Sequence, residues 1–212
     1  MSKTKWMSIL GVIALVATIY LVISARSGEE LFIDGALNAI VLAVFSESTH
    51  SFFGGITELG DTIGIAIVAL MTLILLWLIK RDYVGMVILL LSVGLGNEIN
   101  KWIKDSVGRE RPVTVELAES LSFPSGHAMV GFILYFVASY LLINHINSSK
   151  LKWGIGILSF FLILLIGLSR IVLQDHFPTD VLGGFSIGLI WSLIWISVYE
   201  VLSKQLVKKE KK

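Results

Sequence analysis

Six long apolar stretches separated by short polar ones decide most of what this chain can fold into: residues 6–25, 62–79, 83–97, 126–143, 153–168 and 181–199. A helix crossing a bilayer needs roughly 17–25 mainly apolar residues, and only a helix or a closed barrel pairs all of its backbone polar groups there. The third and fifth stretches are short and are expected to run past their first polar residue toward the headgroups. The fold class that follows is all-α, a six-transmembrane-helix bundle forming one domain over residues 1–212. Charged residues make up 16% of the chain against 55% apolar, where soluble domains carry about a quarter charged. A net charge of +1 and the lack of a lysine-arginine stripe with interleaved aromatics point away from nucleic acid, and the absence of cysteine excludes disulfides and thiolate chemistry.

Orientation follows from lysine and arginine bias. One side of a six-span bundle collects Lys3, Lys5, Lys80, Arg81, Lys150, Lys152, Lys204, Lys208, Lys209, Lys211 and Lys212; the other collects Arg26, Lys101, Lys104, Arg109, Arg111 and Arg170. The bias places both termini in the cytoplasm of a multi-pass protein of the cytoplasmic membrane, with the second group outside. The first stretch is too long for a signal-peptide core, and Ile23 spoils a cleavage site, so it reads as a retained anchor. Trp6, Trp102 and Trp153 are expected as interfacial anchors.

Between the first two spans, residues 31–45 are apolar but carry Asp34 and Asn38. Two arrangements fit: an extra interfacial helix, or an apolar patch packed on the bundle. Phe52-Phe53-Gly54-Gly55 and Gly60-Asp61 read as a turn and a re-entry. A loop carrying Glu116 and Glu119 leads to Phe123, residues 144–152 form a short polar turn, and residues 204–212 a solvated basic tail.

Three polar clusters fall at span ends: Lys104 with Arg111-Pro112, then Pro124-Ser125-Gly126-His127, then Ser169-Arg170 followed by His176 and Asp180. Taken singly, each has an ordinary explanation as a helix cap, a snorkelling arginine or a surface charge. Together they deliver three cations, two histidines and a carboxylate to one face. Arginine forks match phosphate oxygens, and a proline-opened helix start offers unpaired amides to an anion. In the mechanism this inventory allows, Lys104, Arg111, Arg170 and the amides of Ser125 and Gly126 hold the phosphate oxygens. Asp180, one turn into the last span, fixes the His176 tautomer; His176 attacks phosphorus, and His127 donates a proton to the departing alkoxide. No cofactor is needed; a metal centre of His127, His176, Asp175 and Asp180 is the competing arrangement, disfavoured by the neighbouring guanidiniums. A transporter is the competing class, but transport charges gather at mid-membrane, and these lie at span ends. Arg109 fits either a surface pair with Glu110 or a contact to a headgroup or second phosphate.

The order Lys104-x6-Arg111-Pro112, Pro124-Ser125-Gly126-His127, Ser169-Arg170-x5-His176-x3-Asp180 resembles the three-part signature of the membrane-bound type 2 phosphatidic acid phosphatase superfamily. The resemblance implies metal-independent hydrolysis of lipid phosphates, with His176, His127 and Asp180 catalytic and Lys104, Arg111, Ser125, Gly126 and Arg170 binding phosphate. Size and layout are similar to the bacterial phosphatidylglycerophosphate phosphatase branch. Undecaprenyl pyrophosphate, phosphatidic acid and diacylglycerol pyrophosphate remain alternative substrates. The implied partners are the lipid substrate and membrane lipids, with the oligomeric state open and a monomer compatible.

Overall fold

The computed structural model describes residues 3–27, 31–112 and 120–210, and every regular element among them is helical. In chain order these are α1 (Lys3–Ala25), α2 (Phe32–Val44), α3 (His50–Thr57, flanked by short 3-10 turns), α4 (Thr62–Lys80), α5 (Tyr83–Val107), α6 (Gly126–Asn144), α7 (Ser149–Val172) and α8 (Pro178–Glu210). All but α2 and α3 are long and apolar enough to cross a membrane, which gives the six expected spans. Glu116, Glu119, Lys211 and Lys212 lie outside the described residues.

The short stretches do run on. Helix α5 continues ten residues beyond Asn97 to Val107. In these last turns Asn100 and Lys104 are buried while Glu98 and Lys101 are exposed, so apolar content drops although helical periodicity persists. Helix α7 likewise carries buried Ser169 and Arg170 in its final turn. Helix α8 extends through residues 204–210 of the basic tail, and the Lys204 side chain on it is exposed.

Helix α6 is the central one, packed against α4, α5, α7 and α8. Its Ile133, Leu134, Val137 and Leu141 are fully buried, whereas α4 turns Ile67, Leu70, Ile74 and Leu78 outward, as a lipid-facing helix does. Trp6, Trp102 and Trp153 are exposed, consistent with anchors in the headgroup layer. The contact between α6 and α8 depends on small residues: a Cβ on Gly184 would come within 2.9 Å of both the Ala128 Cβ and the Ser125 carbonyl oxygen. Helices pack this closely only where side chains are absent.

The segment between α1 and α4 bends by 79° between α2 and the α3 region. Helix α2 lies against α7 and α8, and α3 against α7. Asp34 turns inward and is fully buried, while Phe32, Ile33, Ile40 and Val44 face out. Residues 52–55 are not a turn, contrary to expectation. They lie inside α3, because Phe53 is buried against Phe45 and Phe52, with ring centroids 5.1 and 5.3 Å away. The turn falls at Gly60-Asp61, immediately before α4.

Successive spans alternate in direction, so the ends of α5 and α7 meet the starts of α6 and α8 at one end of the bundle. At the other end Asp82 Oδ2 joins His145 Nε2 at 2.7 Å and accepts from Tyr199 Oη at 2.8 Å, tying the α4–α5 turn to α6 and α8. Replacing Gly184 with leucine is expected to overpack the α6–α8 contact by about 1–3 kcal/mol and lower the thermal midpoint in detergent. Gly154→Leu, where an added Cβ meets nothing within 4 Å, is expected to leave the midpoint unchanged.

Candidate active site

His176 lies in the tight connection from α7 to α8. Its amide and that of Asp175 both donate to the Arg170 carbonyl, at 3.2 and 3.0 Å. Pro178 then opens α8, as a proline suits a first helical position. That start places Asp180 at the third position, where its Oδ2 accepts from the Phe177 amide at 2.9 Å, one half of a capping box. The same oxygen lies 3.5 Å from His176 Nδ1 and accepts a short hydrogen bond from Ser122 Oγ. With Nδ1 facing the carboxylate, the proton resides there and Nε2 keeps its lone pair. The imidazole is buried, and burial pushes its pKa down to about 4 against the pull of Asp180, with Arg111 and Lys104 adding to the depression.

The three cations arrive from separate elements. Lys104 projects from the buried face of the last turn of α5, and its Nζ donates a short hydrogen bond to the Leu121 carbonyl. Arg111 donates through Nε to Ser120 O at 2.9 Å and through Nη1 to Asp175 O at 3.2 Å. Arg170 pairs with Asp175 Oδ2 at 2.9 Å and donates to Thr57 Oγ1 of α3 at 2.6 Å. Lys104 lies within electrostatic range of both arginines, and His127, in the first turn of α6, within range of Arg170, Asp61, His176 and Arg111. The expected residues therefore converge.

Two details differ from expectation. Pro124 lies outside α6, which begins at Gly126. The Ser125 amide is not free for an anion, since it donates to the Asp180 carbonyl at 3.1 Å and ties the two helix starts together. The Ser125 hydroxyl, however, does not cap its helix, and it is buried without a hydrogen-bond partner, as is Nε of Arg170. Unpaired polar atoms in the interior cost free energy, and here two of them belong to residues expected to hold phosphate.

Arg109 neither pairs with Glu110 at the surface nor points to a headgroup. It is buried between two carboxylates, Asp34 at 2.7 Å and Asp180 at 2.8 Å. Sequence reading also missed Ser122 and Asn100, whose amide donates to the Pro124 carbonyl at 3.3 Å and steadies the α6 start. A lone serine or asparagine carries no pattern. Asp34 did give a signal, as a lone carboxylate in an otherwise apolar segment asks for a partner. Among the described residues no three histidine, aspartate or glutamate side chains gather to hold a metal ion.

Residues 85–204 match the PAP2 superfamily. The chain belongs to that superfamily. Phosphatidylglycerophosphatase B of Bacillus subtilis (strain 168) is 32% identical over 160 residues, which cover 74% of this chain and 78% of the relative. The crystal structure of the first transmembrane PAP2 type phosphatidylglycerolphosphate phosphatase from Bacillus subtilis superposes with a TM-score of 0.77 at 27% identity, covering 88% of this chain and 96% of the other. The crystal structure of Aquifex aeolicus LpxE shares the fold, with a TM-score of 0.60 at 23% identity over 80% of this chain and 98% of its own. This PAP2 protein is thus a multi-pass membrane enzyme, a phosphoric monoester hydrolase by class.

In this PAP2 enzyme a groove of about 440 Å³ runs from Gly126 and His127 down between α4 and α5, lined by Asp61 and Asn97 near the site and by Ile65, Ala69, Leu90 and Val93 deeper in. It is polar at the end where His127 lines it and apolar along its length between the two spans.

The depressed pKa of His176 makes a prediction with a definite sign. Between about 6.5 and about 4 the unfolded chain binds a proton at His176 that the folded protein excludes, so this residue's contribution to stability falls as pH drops through that window. Nitrogen-15 spectra of histidine-labelled protein are expected to show the His176 ring still neutral at about pH 5, where an ordinary histidine, with its pKa near 6.5, is mostly protonated. In Arg111→Gln the midpoint moves upward, because a cation that opposes the second positive charge is gone.

Proposed function

We propose that the enzyme hydrolyses phosphatidylglycerophosphate to phosphatidylglycerol and phosphate, without a metal, at the outer face of the cytoplasmic membrane. The observation that carries this reading is the convergence of Lys104, Arg111 and Arg170 on His176, with Ser125 Oγ and Arg170 Nε buried and unpaired beside them. Like charges held together in a half-buried site repel one another, and an oxyanion with three equatorial oxygens relieves that repulsion.

In this reading Nε2 of His176 attacks phosphorus in line with the ester oxygen. The P–O bond breaks, its electron pair leaves on the glycerol oxygen, and His127 gives that oxygen its proton. His127, buried and facing Arg170 in the free protein, takes up that proton when the phosphate's negative charge binds beside it. Asp180 accepts from Nδ1 and steadies the positive charge on the phosphorylated ring. Water then attacks phosphorus, neutral His127 takes its proton, and the P–N bond breaks with its electron pair returning to His176. The phosphate is held by Lys104, Arg111, Arg170, Ser125 and the amides at the Gly126 start of α6, where a helix dipole favours an anion.

The lipid class rests on the groove between α4 and α5 and on the likeness to proteins described as phosphatidylglycerophosphate phosphatases. The outward orientation rests on the excess of cations at the opposite end, and all residues 1–212 act as one domain. His176→Ala is expected to lower phosphate release from phosphatidylglycerophosphate by about three orders of magnitude or more, with the elution profile in detergent unchanged. Retained turnover in that variant removes the covalent mechanism. Activity of the parent enzyme is expected to survive chelator. A faster rate on undecaprenyl pyrophosphate or phosphatidic acid, assayed in parallel, reassigns the substrate.

Gly94 lines the groove and an added Cβ there meets nothing within 4 Å. Gly94→Phe is therefore expected to raise KM for long-chain substrate while leaving a dihexanoyl analogue unaffected. Equal effects on both would mean that the chains bind elsewhere.

A further inference from the structure

Arg109 is one of the largest fully buried side chains in the protein, and the proposed chemistry makes no use of it. A buried arginine is costly unless every face is engaged, and even then apolar packing of similar volume is often as stable. Its surroundings suggest why such a group stands here. Nη1 donates to Asp180 Oδ1 and to Thr179 Oγ1, both at 2.8 Å, and Nη2 donates to Asp34 Oδ2 at 2.7 Å. The guanidinium lies over the Phe177 ring, 4.1 Å from its centroid. It thus touches Phe177, Thr179 and Asp180, three residues of the stretch that begins with His176.

The two oxygens of Asp180 are thereby assigned different work. Oδ1 is held by Arg109, and this fixes the rotation of the carboxylate so that Oδ2 faces Ser122, the Phe177 amide and the His176 ring. Asp34 completes the set from a different helix. Its Oδ1 accepts from the Thr179 amide at 2.8 Å and its Oδ2 from Thr179 Oγ1 at 2.9 Å. Helix α2 thus caps the first turn of α8 from outside, engaging an amide that has no partner within its own helix. Charges alternate along the line: Asp34 negative, Arg109 positive, Asp180 negative, and the His176 ring positive once phosphorylated.

We propose that Arg109 and Asp34 are positioning residues for the reaction. Arg109 sets the orientation of the Asp180 carboxylate against His176, and Asp34 offsets enough of the arginine's charge that Asp180 still supports a cationic ring. The proposal rests on the reading of His176 as the phosphate acceptor. It also gives α2 a role beyond covering the bundle, since α2 supplies the counter-charge.

The test uses the full-length enzyme in detergent with phosphatidylglycerophosphate. Asp34→Asn keeps an oxygen for the Thr179 amide but removes the charge, so the arginine acts on Asp180 alone. The expected result is a fall in kcat of about ten- to a hundredfold, as when an outer partner orienting a reacting group is lost. KM should change little, and the acid limb of kcat/KM should move to lower pH. The charged groups facing His176 from the neighbouring elements, Lys104, Arg111, His127 and Asp180, are all intact in this variant, so the limb reports the missing counter-charge. Arg109→Lys keeps the cation but cannot reach both carboxylates and Thr179 at once, and should fold with kcat below the parental value. Thr179→Val, isosteric and charge-neutral, removes only the hydroxyl shared by the pair. It should lower kcat several-fold, and it carries the test if Asp34→Asn fails to fold. Folded Asp34→Asn and Thr179→Val enzymes with parental kcat and acid limb overturn the proposal. Full turnover by His176→Ala instead overturns the reading beneath it, whatever these variants do.

Discussion

Asp180 is a fully buried carboxylate at the start of a membrane helix, and a charge placed there persists only if it is fully engaged. Its side-chain oxygens meet Arg109, Ser122, the Phe177 amide and the His176 ring, and its carbonyl receives the Ser125 amide. These partners come from the loop after α5, the approach to α6 and the α7–α8 connection. Satisfying one buried charge thus forces together the parts of the chain that carry the chemistry. The small residues of α8 allow it: with a side chain at Gly184 the start of α6 could not lie close enough for the Ser125–Asp180 contact to form.

The membrane supplies the second constraint. Spans must cross fully, so polar groups needed for chemistry are confined to helix ends, and alternating spans bring alternate ends to the same face. The site is assembled this way, from two helix ends, α5 and α7, and two helix starts, α6 and α8. The α6 start contributes the positive end of a helix dipole, the α8 start contributes Asp180, and the helix ends contribute Lys104 and Arg170. At the opposite end Asp82, His145 and Tyr199 make a polar network closed on itself.

How much of this the sequence reveals depends on the range of the interaction. Span number, the helical nature of residues 31–45 and the convergence of Lys104, Arg111, His127, Arg170, His176 and Asp180 are legible, since hydropathy and short-range spacing encode them. Span ends are less so: α5 and α7 run on as amphipathic turns, and a hydropathy reading stops at the first polar residue. Phe52-Phe53-Gly54-Gly55 misleads because paired glycines signal a turn, whereas burial of Phe53 holds the segment helical. Arg109 misleads most. Its partners lie 75 and 71 residues away in sequence, and no local pattern distinguishes an arginine beside Glu110 that is exposed from one that is buried.

The position of Arg109 also bears on why the enzyme retains α2. Helix α2 turns Phe32, Ile40 and Val44 outward and Asp34 inward, the reverse of what an amphipathic surface helix on a soluble protein presents. In lipid the arrangement is reasonable: apolar side chains lose nothing by facing acyl chains, and the protein interior is where a carboxylate finds donors. An isolated apolar cover would serve to exclude water equally well with alanine at this position. A carboxylate that takes the Thr179 amide and the Arg109 guanidinium together makes the placement of α2 and the geometry of the α8 start one structural unit. Movement of α2 away from the bundle would then leave Arg109 without its Asp34 partner, so the placement of α2 and the group steadying the His176 ring are physically coupled.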